Sequence, residues 1–321
     1  MATEVRLKAP GGVEMLDVVE SEPSRPGPRD ILLRQEAIGV NFIDIYYRSG
    51  LYKLPSLPHV LGVEGAGIVE AVGGEVAALR PGDRVAYAGA PIGAYASTRL
   101  LPAEKAIRIP DGLASATATA MLVRGITAQM LLKHVHSVGS GTVMLVQAAA
   151  GGVGQILTRW GKRLGATVIA TAGSTEKAAT ARDCGADHVI LHREEDVVVR
   201  VREITGGRGV DIAYDGIGAD MFGKSLASLR PFGTVASIGQ AGGPIPPLDL
   251  GQVRAATISR PSVMAYMTDV AAYRAAAAEV LGLAASGFPV TIGARYPLRD
   301  SAQAHLDLEA GRTTGSIVLI P

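Results

Sequence analysis

Between residues 142 and 258 the chain alternates short β-branched runs with amphipathic stretches, and this alternation restricts the fold more than any other feature. The apolar runs fall at residues 142–146, 167–171, 187–190, 210–214, 233–238 and 256–258. Between them the spacing predicts helices near residues 155–164, 175–184, 194–204 and 220–230. The first of these helices puts Val153, Ile156, Leu157, Trp160 and Leu164 on one face, at helical steps. Lys162 and Arg163 suit its C-terminal dipole and Gly165 stops it. Repeated strand–helix units of this kind predict a parallel, doubly wound α/β sheet.

The loop after the first strand reads Gln147-Ala148-Ala149-Ala150-Gly151-Gly152-Val153-Gly154. A β-branched strand running into small residues that open a helix brings backbone N–H groups up to a pyrophosphate. The first of the usual glycines is here Ala149. In this βαβ setting Ala150, Gly151, Gly152, Val153 and Gly154 are expected to cradle a dinucleotide. The second strand ends in Ala172-Gly173-Ser174-Thr175-Glu176-Lys177, with no acid at its tip to take ribose hydroxyls. Gly173, Ser174 and Lys177 suit a 2′-phosphate instead, so NADP(H) is the expected cofactor, although Lys177 could also be an ordinary solvated helix residue.

Residues 1 to about 110 have a different texture: short strands separated by Gly/Pro turns, with a Pro/Gly connector at residues 23–28 and a long strand candidate at 30–38. That pattern predicts a compact, barrel-like β domain. A helical stretch at residues 115–133, broken near Gly125, leads into the alternating region, and a second long helix is expected at 269–285. The final apolar run, residues 315–320, is expected to return to the N-terminal domain. A chain of 321 residues exceeds what one core usually serves, which fits two domains.

Thirty-one basic residues against 30 acidic ones give no support to a nucleic-acid or membrane footprint. The lone cysteine, Cys184, permits neither an intrachain disulfide nor a multi-cysteine zinc site. No signal-peptide pattern and no bilayer-length apolar run is evident, so a soluble cytoplasmic protein is expected.

The chain resembles the zinc-free quinone oxidoreductases of the medium-chain dehydrogenase/reductase superfamily, the group that includes the ζ-crystallins. The likeness is carried end to end by residues 41–52 (NFIDIYYRSGLY), 61–67, 81–85, 148–154, 193–196, 204–207, 260–262 and 319–321. It implies a GroES-like domain over residues 1–123, completed by 266–321, and a Rossmann domain over 124–265. It further implies NADPH and an electron acceptor held in a cleft between them, and a homodimer paired through the Rossmann domain. By position, Asn41, Tyr46 and Tyr52 are expected to line the acceptor site, and Thr127 to approach the nicotinamide carboxamide. Gly173, Lys177 and His192 match adenine-end positions, with His192 standing where the family usually has tyrosine. Gly216, Ile238, Gln240, Arg260 and Ser262 complete the expected cofactor set. Asp44 reads as a helix cap and is left outside the site, and no residue is singled out as catalytic.

Zinc-dependent relatives place histidine before the glutamate of a Gly-His-Glu motif; here that position is Val63, in Gly62-Val63-Glu64. Their upstream cysteine is also absent, so no metal is expected. Without a Lewis acid, the easier chemistry is hydride transfer to an acceptor that stabilises the resulting anion, a quinone or conjugated enone. NADPH-dependent quinone reduction is the leading expectation. An alkenal or enone double-bond reductase is the enzymatic alternative, and a cofactor-binding protein with little catalysis is the non-enzymatic one.

Overall fold

A computed structural model describes residues 1–22, 24–253 and 255–321, with the backbone alone at Gln252. Pro23, at the head of the expected connector, lies outside them. The first part of the chain forms β1 (Ala2–Leu7), β2 (Leu16–Ser21), β3 (Asp30–Val40), α1 (Phe42–Arg48), β4 (His59–Val60), β5 (Glu64–Val72), β6 (Arg84–Ala88), β7 (Thr98–Pro102), β8 (Ile107–Arg108) and α2 (Ser115–Met130). The middle forms β9 (Val143–Val146), α3 (Gly152–Arg163), β10 (Thr167–Ala172), α4 (Thr175–Asp183), β11 (His188–Leu191), α5 (Val197–Ile204), β12 (Val210–Asp215), α6 (Ala219–Ala227), β13 (Leu229–Ser237) and β14 (Ala256–Ser259). The last part forms α7 (Val263–Tyr266), α8 (Val270–Ala285), β15 (Ile292–Pro297), α9 (Ser301–Glu309) and β16 (Ser316–Ile320). These elements divide into two compact units, residues 1–126 with 263–321, and residues 127–262.

In the first unit β3 is the strand around which a mixed sheet is built, in the order β15-β16-β3-β5-β6-β8, with β7 also paired to β3. A smaller sheet runs β2-β1-β4. Alternating apolar side chains from these strands, among them Leu7, Ile31, Leu33, Ile38, Val85 and Leu101, pack into one core with Tyr87 and Tyr95. The C-terminal strand β16 pairs antiparallel with β3, Val318 opposite Gly39, and adds Ile317 and Leu319 to that core.

Helix α2 passes through Gly125 without the expected break. A Cβ at Gly125 would stand 2.4 Å from Val280 Cγ1 of α8, so the glycine serves close helix–helix approach rather than a kink. Asp269 caps α8 by accepting the N–H groups of Ala271 and Ala272 at 2.9 and 3.1 Å.

The second unit is a six-stranded parallel sheet in the order β11-β10-β9-β12-β13-β14. Leu145, Ile169, Ile190, Val210, Ala213 and Val235 are fully buried in it, as expected for strands covered on both faces. Three helix boundaries differ by three residues from the sequence expectation, the first being the start of α3 at Gly152 rather than 155. Helix α5 starts at Val197 rather than 194, because Asp196 accepts the N–H groups of Val198 and Val199 at 2.8 and 2.9 Å. Helix α6 stops at Ala227, where β13 already begins at Leu229.

Candidate functional site

The chain leaves β9 toward β10 and β11 on one side, then resumes with β12, β13 and β14 on the other. Strand β9, flanked by β10 and β12, is therefore the switch point of the sheet, and open α/β sheets bind ligands beyond the carboxyl ends of strands at that point. The expected cofactor residues gather along this one edge. Residues 147–154 follow β9, Gly173 and Ser174 follow β10, His192 follows β11, Gly216 follows β12, Ile238 and Gln240 follow β13, and Arg260 and Ser262 follow β14. Lys177 lies in the first turn of α4, and Thr127 lies within α2, outside this run of strand ends.

The loop after β9 is built for close approach. Ala148 adopts a left-handed conformation, φ 50°, and donates its N–H to Thr171 Oγ1 at 3.3 Å. A Cβ at Gly154 would stand 2.4 Å from Ala148 O and 2.7 Å from Ala149 Cα, so only glycine lets α3 begin this near the loop. Gly151 is the N-cap of α3, and no acidic residue occupies the first turn. The first N–H groups of that helix have no intrahelical acceptor, which together with the dipole suits an anion.

A buried polar chain fixes the loop from below. Thr171 Oγ1 donates to Gln147 Oε1 at 2.6 Å, Gln147 Nε2 donates to Ser225 Oγ at 2.9 Å, and Ser225 Oγ donates to Asp215 Oδ2 at 2.6 Å. Asp215 Oδ1 accepts the N–H groups of Ile217 and Gly218 at 2.9 and 2.8 Å, shaping the turn after β12. Next to it Gly216 faces Ile238, whose Cγ1 is 3.6 Å from where a glycine Cβ would stand. Arg260 Nη1 donates to Ser237 Oγ at 2.9 Å.

At the tip of β10, Ser174 caps α4 by accepting the N–H of Lys177 at 3.3 Å. A Cβ at Gly173 would lie 3.2 Å from His192 Nε2 and 3.5 Å from Arg193 Nε. Burial pushes the His192 pKa down, and the positive charges of Arg193, Lys224 and Lys177 push it further. The basic character of this corner thus exceeds the sequence expectation: Arg193, read there only as part of a motif, stands beside His192. Its position directly after an expected site residue at a strand tip was the available signal.

In the first unit Asn41 is the N-cap of α1, and Tyr46 lies on that helix. Tyr52 follows one short turn later, its N–H donated to Tyr46 O at 3.0 Å. The Tyr46 and Tyr52 rings meet edge to face with centroids 5.3 Å apart, and Tyr47 meets Tyr52 at 5.8 Å. The structure therefore brings Asn41, Tyr46 and Tyr52 onto one short segment.

Beneath them lies a buried charged group that sequence reading passed over. Asn41 Nδ2 donates to Glu64 Oε1 at 2.8 Å, Arg124 Nη1 approaches the same oxygen at 3.1 Å, and the Val123 N–H donates to Oε2 at 2.9 Å. Burial pushes the Glu64 carboxyl up, and Arg124 and Asn41 pull it back. Asn41 N–H donates to Asp44 Oδ2 at 2.7 Å. Val63, beside Glu64, is fully buried. Among the described residues, no three His, Cys, Asp or Glu side chains stand together as a metal-ligand group. No helix among them is long and apolar enough to cross a membrane.

Comparison with known proteins agrees with this architecture. Residues 27–111 match the alcohol dehydrogenase GroES-like domain, and residues 152–284 match the zinc-binding dehydrogenase family. Over its full length the chain is 43% identical to a quinone oxidoreductase of Pseudomonas aeruginosa, covering 100% of both. It is 40% identical to a 2-haloacrylate reductase of a Burkholderia species, covering 100% of this chain and 99% of that protein. The crystal structure of Escherichia coli quinone oxidoreductase complexed with NADPH superposes with a TM-score of 0.96 at 41% identity, covering 99% of this chain and 100% of the other. A GroES-like unit, a parallel-sheet nucleotide-binding unit and full-length identity of this order place the chain in the quinone oxidoreductase family of the medium-chain dehydrogenase/reductase superfamily.

Proposed function

We propose that this protein is an NADPH-dependent quinone reductase that works without zinc. The observation that carries the reading is end-to-end identity of 43% with a quinone oxidoreductase, combined with a sheet edge that matches the cofactor's charge pattern. NADPH, when bound, supplies the hydride. The chain's own residues then have three tasks: hold the dinucleotide, hold the acceptor, and keep competing chemistry out.

For the first task, the α3 N–H groups and the glycines of residues 150–154 receive the pyrophosphate, and the Gly154 contact geometry is what lets them reach it. Lys177, His192 and Arg193 around Gly173 and Ser174 receive the 2′-phosphate. Gly216, Ile238, Gln240, Arg260 and Ser262 line the rest of the edge, and Thr127 orients the carboxamide. Residues 124–265 form the cofactor domain in this reading, and residues 1–123 with 266–321 the acceptor domain.

For the second task, Asn41, Tyr46 and Tyr52 contact the acceptor, with the aromatic faces packing on a planar ring and the hydroxyls at hand for its oxygen. A quinone accepts a hydride without prior polarisation, so no metal is required. The residues present do not fit zinc: Val63 offers no ligand atom, and both Glu64 oxygens are taken by Arg124, Asn41 and the Val123 N–H.

A homodimer is part of the reading. Strand β14 is an outer strand of the parallel sheet and exposes Ile258; Phe232, whose N–H donates to Ala255 O just before β14, is 79% exposed, and Leu250 is 74% exposed. Among the described residues no strand pairs with the outer edge of β14, and an unpaired edge with apolar side chains favours pairing with a second copy. Light scattering should give twice the monomer mass for the wild type and a lower mass for Ile258→Lys.

The relative named 2-haloacrylate reductase supports a second reading, reduction of an activated double bond on the same scaffold. Parallel assays with p-benzoquinone and with an α,β-unsaturated aldehyde, each with NADPH, separate the two. Turnover of the aldehyde alone rejects quinone reduction. Tight NADPH binding with turnover of neither points to the non-catalytic alternative.

A further inference from the structure

Asp44 is fully buried, and its two oxygens are treated very differently. Oδ2 accepts the Asn41 N–H at 2.7 Å and the Tyr95 O–H at 3.3 Å, whereas Oδ1 has no hydrogen-bond partner among the described residues. The direction of the Tyr95 bond follows from the groups behind it. Arg48 has only donors, so its contact at 3.3 Å makes His305 Nδ1 an acceptor. The neutral ring must then carry its proton on Nε2, which donates to Tyr95 Oη at 2.9 Å. Tyr95 is left to donate its own proton to Asp44. Arg48 is held in turn by Glu309 at 2.6 Å. The order Arg48, His305, Tyr95, Asp44 is one directed chain, running from the last residue of α1 through α9 and back to the first turn of α1.

Charge around Asp44 is lopsided. Glu64 faces it from β5 as a second carboxylate, Tyr95 faces it from the segment before β7, and Tyr47 lies on its own helix. Among the described residues Arg124 of α2 is the cation acting on it, and it is committed to Glu64 and to Val40 O, 2.5 Å away. Burial and the Glu64 charge raise the Asp44 pKa from 3.8 to about 7. Asn41 hangs between the two carboxylates, its backbone N–H on Asp44 and its side-chain amide on Glu64.

We propose that Asp44 is a positioning residue for the acceptor site: as the neutral acid it sets Asn41 and helix α1, and its ionisation displaces them and weakens acceptor binding. The inference rests on the reading of Asn41, Tyr46 and Tyr52 as acceptor groups. The physical cause is that a second carboxylate charge beside Glu64 must be solvated. The two sources are water admitted at Oδ1 and Arg124 drawn away from Glu64, and both disturb the anchors of Asn41.

The test is the acceptor KM and kcat as functions of pH at saturating NADPH, with p-benzoquinone and with an α,β-unsaturated aldehyde. It is run on the wild type, Asp44→Asn and Tyr95→Phe. In the wild type KM should rise several-fold through an inflection near neutral pH while kcat stays level. Asp44→Asn should abolish the inflection. Tyr95→Phe removes a hydrogen bond that favours the carboxylate, so it should move the inflection to higher pH, a signed shift that general loosening does not produce. A flat wild-type KM, an Asp44→Asn inflection like that of the wild type, or an unmoved inflection in Tyr95→Phe overturns the inference alone. If Asp44→Asn fails to fold, the Tyr95→Phe shift decides. Absence of turnover with either acceptor overturns the functional reading and the positioning role with it.

Discussion

Gln147, the residue that opens the glycine loop, donates to Ser225 of α6 at 2.9 Å, and Ser225 passes the bond on to the buried carboxylate of Asp215. The loop's shape is thus set by a side-chain chain that spans the ends of β9, β10 and β12, and local glycine content is only part of it. Ser225→Ala leaves a buried amide donor and a carboxylate oxygen without a partner. A loss of about 1–3 kcal/mol in urea unfolding is expected, with weaker NADPH binding. Unchanged stability and affinity would show that the chain does not shape the loop.

The 2′-phosphate assignment is tested by Lys177→Ala and Arg193→Ala. Each removes a charge-assisted contact, so the NADPH Kd should rise by roughly tenfold or more. NADH binding should stay within about a factor of two, because the same contacts are idle without the phosphate. Fluorescence titration with both nucleotides reads the outcome. Equal losses for the two would mean that these residues act on the fold.

His192 gives that corner a pH dependence. Burial and neighbouring cations depress its pKa, so at neutral pH the free ring is uncharged. A bound phosphate favours the protonated ring, and NADPH affinity attributable to His192 should therefore rise as pH falls. Comparing wild type with His192→Phe at each pH cancels the phosphate's own titration. The difference should grow toward acid pH, and a constant difference contradicts the assignment.

Asp44 and His305 also make opposing contributions to stability. Asp44, raised from 3.8 to about 7, favours the folded state at acid pH, and that contribution is lost as pH rises through this window. His305, lowered from 6.5 to about 3 by burial and by Arg48, destabilises the folded state as pH falls through its own window. The two slopes have opposite signs and largely cancel between about pH 4 and 6.5. Asp44→Asn should unmask the histidine, giving a stability that climbs with pH over that range by on the order of 1.4 kcal/mol per unit. Urea unfolding across that range reads the slope, and an unchanged slope would contradict the assignment.

The sequence carried the parallel sheet clearly, because period and punctuation are local: β9 to β14 fall on the six apolar runs, and Gly165 follows the helix that it was expected to end. Helix starts were less legible where a cap competes, as at Asp196. Gly125 misled because its reason is a contact with Val280, more than 150 residues away. The same holds for the group under Asn41. Asp44 reads as a cap and does bond the Asn41 N–H, yet its Tyr95 and His305 partners come from distant segments that no local pattern joins.

The central claim is that reduced NADPH is spent on a quinone without help from a metal. The most direct measurement is the initial rate of NADPH oxidation with p-benzoquinone, with and without a strong chelator. The account expects acceptor-dependent oxidation of one NADPH per quinone reduced, at a rate the chelator leaves unchanged. No acceptor-dependent oxidation, or a rate that the chelator abolishes and zinc restores, would contradict it.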